Sequence, residues 1–483
     1  MSEPQVAADG GGAIVISGPL SEIDWNAHVG KRVSIEGELV IVDTYDLMRW
    51  GEVKVARDRL SIPTNHIDPN DADPRENSIA GGSNVAAVTA AQKQNDRGVL
   101  ILDDGFRDQN TFPPRLFPEL GGSLPTIRTG SVIEGVSGEL QQRSKNVVLV
   151  PSAPLTWTPA ERPARPVLGE AGLTVACFNV LNYFTTVADG TSDARGASTQ
   201  AELQRQQAKL VAAMVAMQAD VIGVMELENS AAAEEPLVAA LNQAVGAEVF
   251  RACGVPARFR SAPGGSDAIR VGLIYRSDRV VPVGGVSVVS DRAFGLARAP
   301  LVQTFTAGVS SKPFTVVVNH LKSKGGSDDA DRENKDRGDG QGAYTAARRA
   351  QALALCAFVE EREQADEDAR ILLIGDFNAY AQEDPIDALR AAGLVDLRER
   401  FGGTGQGGEQ DYSYVYFGQS GTLDYAFGTE AMAADVTGVA TWHINADEPR
   451  ALDYNQEYNP EVLYRPDAFR SSDHDPVLIG IAE

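Results

Sequence analysis

Ile371-Leu372-Leu373-Ile374-Gly375-Asp376-Phe377-Asn378 decides how this chain is read. Four consecutive apolar residues predict a strand buried on both faces. Gly375 breaks the run, and a carboxylate and a carboxamide follow two positions apart. Residues i and i+2 of an extended segment point to one side. Asp376 and Asn378 are therefore expected side by side where a buried strand emerges, the place where ligands bind in α/β folds. Gly, Asp and Asn also favour plain turns, so the stretch has to be weighed with others like it.

Four more polar clusters end apolar runs: Cys177-Phe178-Asn179, Ile222-Gly223-Val224-Met225-Glu226, Val316-Val317-Val318-Asn319-His320 and Ser471-Ser472-Asp473-His474-Asp475. The chain has 5 histidines, and two of them fall in these clusters. The clusters offer carboxylates, amides and imidazoles, with no nucleophile pattern such as GxSxG. Oxygen donors from Glu226, Asp376 and Asp473, with Asn179, suit a hard cation such as Mg²⁺, Mn²⁺ or Ca²⁺. A histidine beside a carboxylate is a general base for water. Together they describe metal-assisted hydrolysis at phosphorus.

Working outward, 483 residues exceed one ordinary core. No apolar run reaches the length of a membrane span, and Met1-Ser2-Glu3-Pro4 shows no signal-peptide pattern. The net charge of −24 excludes a general electrostatic grip on nucleic acid. Cys177, Cys253 and Cys356 read as free thiols, and the lack of CxxC argues against zinc. Residues 1–12 are expected to be disordered. Short strand-like runs over 13–150 predict a small barrel or sandwich. The proline-rich segment 151–170 reads as a stiff linker. Over 171–483, strands and helices interleave as a mixed sheet sandwich with helices outside, so the fold class is α/β (α+β).

Asn179, Glu226, His320, Gly375-Asp376-Phe377-Asn378, Leu423-Asp424-Tyr425 and Ser472-Asp473-His474 resemble, in order and spacing, the motifs of the endonuclease/exonuclease/phosphatase superfamily. The resemblance implies a DNase I-like four-layer α/β-sandwich over 171–483. A narrower likeness is to secreted bacterial nucleases. It rests on Phe178–Phe184, Asn319–Gly325, Gly338–Gly342 and Trp442–Pro449. In that branch an OB-like module precedes the catalytic domain, which suits 13–150. Where the branch carries Cys after Gly-Gln-Gly this chain has Ala343, which leaves the branch's disulfide without that cysteine.

The resemblance implies a role for each residue. Glu226, Asn179 and Asp473 would hold the metal, Mg²⁺ or Mn²⁺ with Ca²⁺ as a further candidate. Asp376 and Asn378 would orient water and bind the scissile phosphate. Asp424 would orient His474, the base, and His320 would stabilise the developing charge. Arg298, Lys322 and Lys324 would contact phosphate; the chain has only nine lysines, and two follow His320 closely. Glu228 is a weaker candidate ligand, and His443 reads as structural. The implied substrate is DNA, with RNA as a second, cut by an extracellular or periplasmic monomer with no evident protein partner. The alternative is a phosphatase or lipid phosphodiesterase of the same fold, acting on an inositol phosphate or a sphingolipid.

Overall fold

The computed structural model describes residues 12–70, 83–121, 126–191, 193–307, 312–326, 330–401 and 411–482, with the backbone of Gln5–Ala8. Residues 1–4 and 9–11 of the expected disordered start lie outside the described residues, as do 327–329 of the acid-rich loop. Within that start, Gln5–Ala8 is a strand paired with Ile14–Ser17.

The Ile371–Asp376 strand lies inside a six-stranded sheet, parallel to Phe314–His320 and antiparallel to Asp424–Gly428. A second six-stranded sheet centres on Leu173–Tyr183 and Val221–Glu228, with Val477–Ile481 alongside. The inner faces meet through Val175, Cys177, Val316, Val318, Leu372 and Ile374. At Gly223 a β-carbon would come within 2.8 Å of both Val318 and Ile374, so the close approach of the sheets requires glycine. Helices Gln200–Met217 and Glu235–Val245 cover one outer face through Leu210, Met214 and Leu237. Thr345–Ala365 and Asp384–Ala391 cover the other through Leu355, Val359 and Ile386. The strands read as continuous apolar runs because both faces of each sheet are covered. This is the mixed α/β architecture expected, in helix–sheet–sheet–helix layers.

Local signals acted as their chemistry demands, with small shifts. Thr199 caps the first long helix by accepting from Glu202 N at 3.2 Å, and the Glu202 carboxylate reaches back to Ser198 N at 2.9 Å. Helix Asp384–Ala391 begins at Asp384, with Glu383 at the N-cap and Pro385 in its first turn.

In the front part, Arg32–Asp43 pairs with Glu52–Ala56, which pairs with Leu100–Asp103, then Asn146–Pro151, then Val132–Arg143, which returns to Arg32–Asp43. The ring closes around Ile35, Leu39, Val55, Leu102, Leu140 and Leu149, and closure leaves these five strands no free edge. The segment 151–170 is more than a connector. Leu155 is buried in the barrel core, Trp157–Thr158 pairs with the barrel, and Leu168 enters the core under the first helix. The apolar residues between the prolines anchor it.

The two parts are bonded directly. Leu60–Ser61 pairs in parallel with Gln419–Gly421. Asp447 accepts from Arg59 at 2.9 and 3.1 Å, from Arg128 at 3.1 Å and from Tyr412 at 2.7 Å, and also from the Thr129 hydroxyl. Glu448 beside it takes Arg162 at 3.0 and 2.8 Å. Burial alone would raise the Asp447 carboxyl, but Arg59 and Arg128 hold it well below the usual carboxylate range. Its contribution to stability is therefore present above the ordinary carboxylate pKa and is lost only in acid. Removing one partner of a buried ion pair leaves the others uncompensated. Asp447→Ala is expected to cost roughly 3–5 kcal/mol in denaturant unfolding. A loss under about 1 kcal/mol would instead mark the cluster as equivalent to a surface pair.

Candidate active site

Strand register assembles the centre of the site. His320 lies opposite Asp376 in the parallel pair, and Asp376 opposite Asp424 in the antiparallel pair. Three functional groups thus sit in one row across three strands, at the ends where the strands emerge. Gly375 makes the row possible. Its φ is +135°, and a β-carbon there would lie 2.0 Å from the Asn319 carbonyl oxygen. The strand ends at Asp376, whose Oδ1 accepts from Asn378 N at 2.8 Å. The stretch is thus a turn, and one that sets Asp376 and Asn378 at the strand end. Asn378, at φ 50°, donates its amide to the Leu321 carbonyl at 3.2 Å, which also receives Arg298 Nη1 at 3.3 Å.

His474 enters from the loop before Val477–Ile481. Its Nδ1 lies 2.8 Å from Asp424 Oδ2, which also accepts Ser413 Oγ at 2.7 Å. With Asp424 as acceptor, Nδ1 carries the proton and Nε2 is left for chemistry. Tyr414 stands against the imidazole at 4.5 Å between ring centroids. Asp376, Asp424 and His474 all bring a ligand-type atom within 4.8 Å of one another. His320 Nε2 is 3.5 Å from Asp376 Oδ2.

Glu226 stands beside this group on the other sheet. The register of its strand shifts between Val224 and Leu227, and Glu226 takes φ 67°. This bulge turns its side chain toward the site. Asn182 N donates to the Glu226 carboxylate at 2.9 Å, and the Asn179 carboxamide lies against it. Asp473 raises the Glu226 carboxyl and lines the adjoining cleft.

Burial and neighbours push the titratable groups apart. Burial raises Glu226, with Asp473 adding to it, and burial lifts Asp376 to about 7. Burial also keeps His320 well below the usual imidazole range, helped by Arg298 and His474. Burial acts the same way on His474, but Asp424, its hydrogen bond, Asp376 and Asp473 outweigh it and raise His474 well above that range. One histidine is held neutral and the other binds a proton strongly, the division of labour that acid–base sites need. Buried carboxylates with raised pKa values, and Asp424 Oδ1 without a hydrogen-bond partner, fit a hard cation that would favour the ionised forms.

Three of the candidates have partners of their own within the protein. The Lys324 ammonium is bound to Glu383 and to the Gln341 carbonyl at 2.7 Å, and burial lowers it to about 8. Lys322 has its ammonium 4.1 Å over the Tyr344 ring. Glu228 is taken up by Thr185 and Thr186, which hydrogen-bond its carboxylate. His443 is structural as expected, stacked on Tyr412 at 4.2 Å and bonded to Asp475 at 2.9 Å. The sequence reading missed Ser413, which holds Asp424, and Asn445, whose side chain binds the His474 carbonyl at 2.7 Å and Ser471 N at 2.8 Å. Asn445 lies inside the Trp442–Pro449 motif, which was the available signal.

Among solved structures, the chain is similar to a Bacteroides thetaiotaomicron mannosyl-6-phosphatase (16% identity, 65% of this chain and 100% of that one, TM-score 0.41). It is also similar to the human Nocturnin catalytic domain with bound sulfate (15% identity, 64% and 93%, TM-score 0.39). A third is D. rerio TDP2 complexed with a single-strand DNA product (16% identity, 64% and 99%, TM-score 0.39). None of the curated proteins matches the chain. A family model described as "Endonuclease/Exonuclease/phosphatase family" matches residues 176–474, from the strand of Asn179 to His474 itself. The chain belongs to that family of metal-dependent hydrolases of phosphoester bonds.

Proposed function

We propose that this protein hydrolyses the phosphodiester bonds of DNA, and of RNA as a second substrate, as an extracellular endonuclease using Mg²⁺ or Mn²⁺. The observation that carries the reading is the space beside the reaction centre. Asp473, one residue from His474, lies on the wall of a cleft of about 550 Å³ whose opposite side is Val42–Asp46 of the barrel. A cleft walled by two parts of the chain suits a polymer better than a small phosphomonoester. The motifs resembling those of secreted bacterial nucleases support the same substrate and an extracellular location, and the closed five-strand ring with one parallel contact supports reading 13–150 as an OB-like domain.

Glu226, with Asn179 and Asp473, would hold the cation. A divalent cation there supplies positive charge against the phosphate. His474, its Nδ1–H fixed by Asp424, would take the proton of the attacking water at Nε2 in the fraction where Nε2 is free, a fraction that a bound cation would enlarge by offsetting the Asp376 and Asp473 charges that raise it. Asp376 and Asn378 orient that water and the scissile phosphate. His320, neutral, donates a hydrogen bond where negative charge develops, and Arg298 adds fixed positive charge nearby.

Three outcomes test this. His474→Ala and Asp424→Asn are expected to lower kcat on supercoiled plasmid by roughly 10²–10⁴-fold, the usual worth of a positioned acid–base group. Excess EDTA should abolish cleavage, and Mg²⁺ or Mn²⁺ should restore it. Undiminished cutting in chelator, or turnover of inositol phosphates in preference to plasmid, would overturn the reading.

The third outcome is a matter of linkage. Asp376 is raised from 3.8 to about 7 by burial. A raised carboxyl stabilises the metal-free fold at low pH, and that contribution is lost as pH rises through about 7. A cation favours the ionised form, so the increase in Tm given by saturating Mg²⁺ should be larger at about pH 8 than at about pH 5. Equal increases would show that these carboxyls do not bind it.

A further inference from the structure

The hairpin that carries Tyr414 contains a residue that folding does not explain. Strands Tyr414–Tyr416 and Gln419–Gly421 are joined by the two-residue loop Phe417-Gly418. Both loop residues have positive φ, 47° and 81°, the geometry of a type I′ turn. That turn favours Asn, Asp or Gly at its first position. Phenylalanine there strains the backbone and gains little burial in return: Phe417 is 68% exposed, with the Tyr416 ring edge-on to it and the Lys54 ammonium 5.6 Å over its face. Strain held without packing benefit points to a role outside the fold.

The loop ends a line of rings that begins at the reaction centre. Tyr414 is 4.5 Å from the His474 ring, Tyr416 stacks on Tyr414 at 6.4 Å, and Phe417 meets Tyr416 edge-on at 4.5 Å. Exposure rises outward, with Tyr416 at 51%. All three rings line the cleft that holds Asp473, and Tyr45 of the barrel, 64% exposed, lines it too.

Several of the charges around the rings are paired within the protein, while Asp46 and Asp473 also line the cleft. Asp43 is paired with Lys54 at 2.6 Å, and Asp447 and Glu448 are held by Arg59, Arg128 and Arg162. Arg470, also in the cleft, donates to the Asn445 carbonyl at 3.0 Å, and the half-exposed Arg450 lines it 3.8 Å from Asp453. Ring faces and two guanidinium groups are therefore what the cleft offers a substrate.

We infer that Tyr416 and Phe417 form a stacking shelf for an unpaired nucleobase of the strand being cut, next to the scissile phosphate. The inference rests on the DNA reading above and deepens it. Stacking is indifferent to base identity because every base has a π-face. It also needs no basic track, which suits a chain of net charge −24. A duplex would bring a second phosphate backbone against this acidic surface and would keep its bases from the rings. The substrate class is thus single-stranded or locally unpaired DNA.

The test compares kcat/KM on a single-stranded oligonucleotide and on an abasic strand of the same length. The wild type should favour the natural strand by about tenfold, the scale of one base–aromatic stack. Tyr416→Ala with Phe417→Asn should bring that ratio close to one. Phe417→Trp should keep it. Asn suits the type I′ turn, so Phe417→Asn alone should leave Tm the same or higher while lowering the ratio, which a merely structural ring would not do. If the wild type cuts DNA but the ratio is the same in the double variant, the shelf is wrong and the nuclease reading stands. If the wild type cuts neither strand yet hydrolyses a sugar or inositol phosphate, both are wrong.

Discussion

Burying several carboxyl groups at one point is unfavourable, and the rest of the molecule is arranged around making it tolerable. Asp376, Asp424 and Glu226 meet at the emerging ends of two packed sheets, where water is scarce and like charges repel. Asp424 is neutralised by His474 and Ser413, and Glu226 is steadied by Asn182 N–H. Asp376 remains partly protonated near neutral pH. On the proposed reading, that residual frustration would make the pocket receptive to a cation. A packed apolar cluster would be more stable there and would do nothing.

Holding that frustrated group requires rigid walls, which explains why the site is built from strand register. His320, Asp376 and Asp424 keep their spacing because three strands are hydrogen-bonded behind them and both faces of the sheet are covered. His474 has no such support from its own strand, since it precedes Val477–Ile481. Its loop is fixed instead by Asn445, which binds the His474 carbonyl and the Ser471 and Ser472 N–H groups, and by Asp475, which accepts from Asn445 and Ala446 N–H. The same segment continues to Asp447 and Glu448, which grip the barrel and the 151–170 strap. The barrel is thereby tied to the loop that carries His474. Asp447 reaches Tyr412, and the next residue, Ser413, bonds Asp424.

The parts legible in the sequence were those where one local signal suffices. Continuous apolar runs gave the central strands because both faces are buried, and Thr199 with Glu202 gave a helix start. The barrel strands were visible from turn spacing, although Val132–Arg143 runs well beyond the stretch its apolar residues mark. Its outer half alternates buried and exposed positions and pairs with Asn146–Pro151. Helix Glu235–Val245 went unread because its Pro236 and short apolar face look like a loop. Strand Val281–Val288 has its side chains half-exposed or exposed along its whole length, so it shows no buried run to read. In the site, residue types in order were enough to name Asn179, Glu226, His320, Asp376, Asp424 and His474. Their roles depend on backbone shape that no residue type announces, such as the bulge at Glu226. Lys324 shows a related limit. A lysine near His320 in sequence is a candidate for phosphate, but only the fold reveals Glu383 waiting beneath it.

The proposed nucleic-acid substrate raises the question of how so acidic a chain could receive a polyanion. Long-range attraction is the wrong sign, so affinity has to come from contacts that are short-ranged and insensitive to net charge. On that proposal a cation and Arg298 at the reaction centre, with Arg450 and Arg470 in the cleft, would supply positive charge locally. Exposed rings supply stacking that ignores charge altogether. Such a site captures substrate slowly and gains nothing from steering, but it loses little when salt rises, because few counterions are released on binding. An acidic surface with a small neutral shelf beside a cation pocket is thus a consistent solution for cutting nucleic acid in salty surroundings, where a basic groove would lose most of its grip.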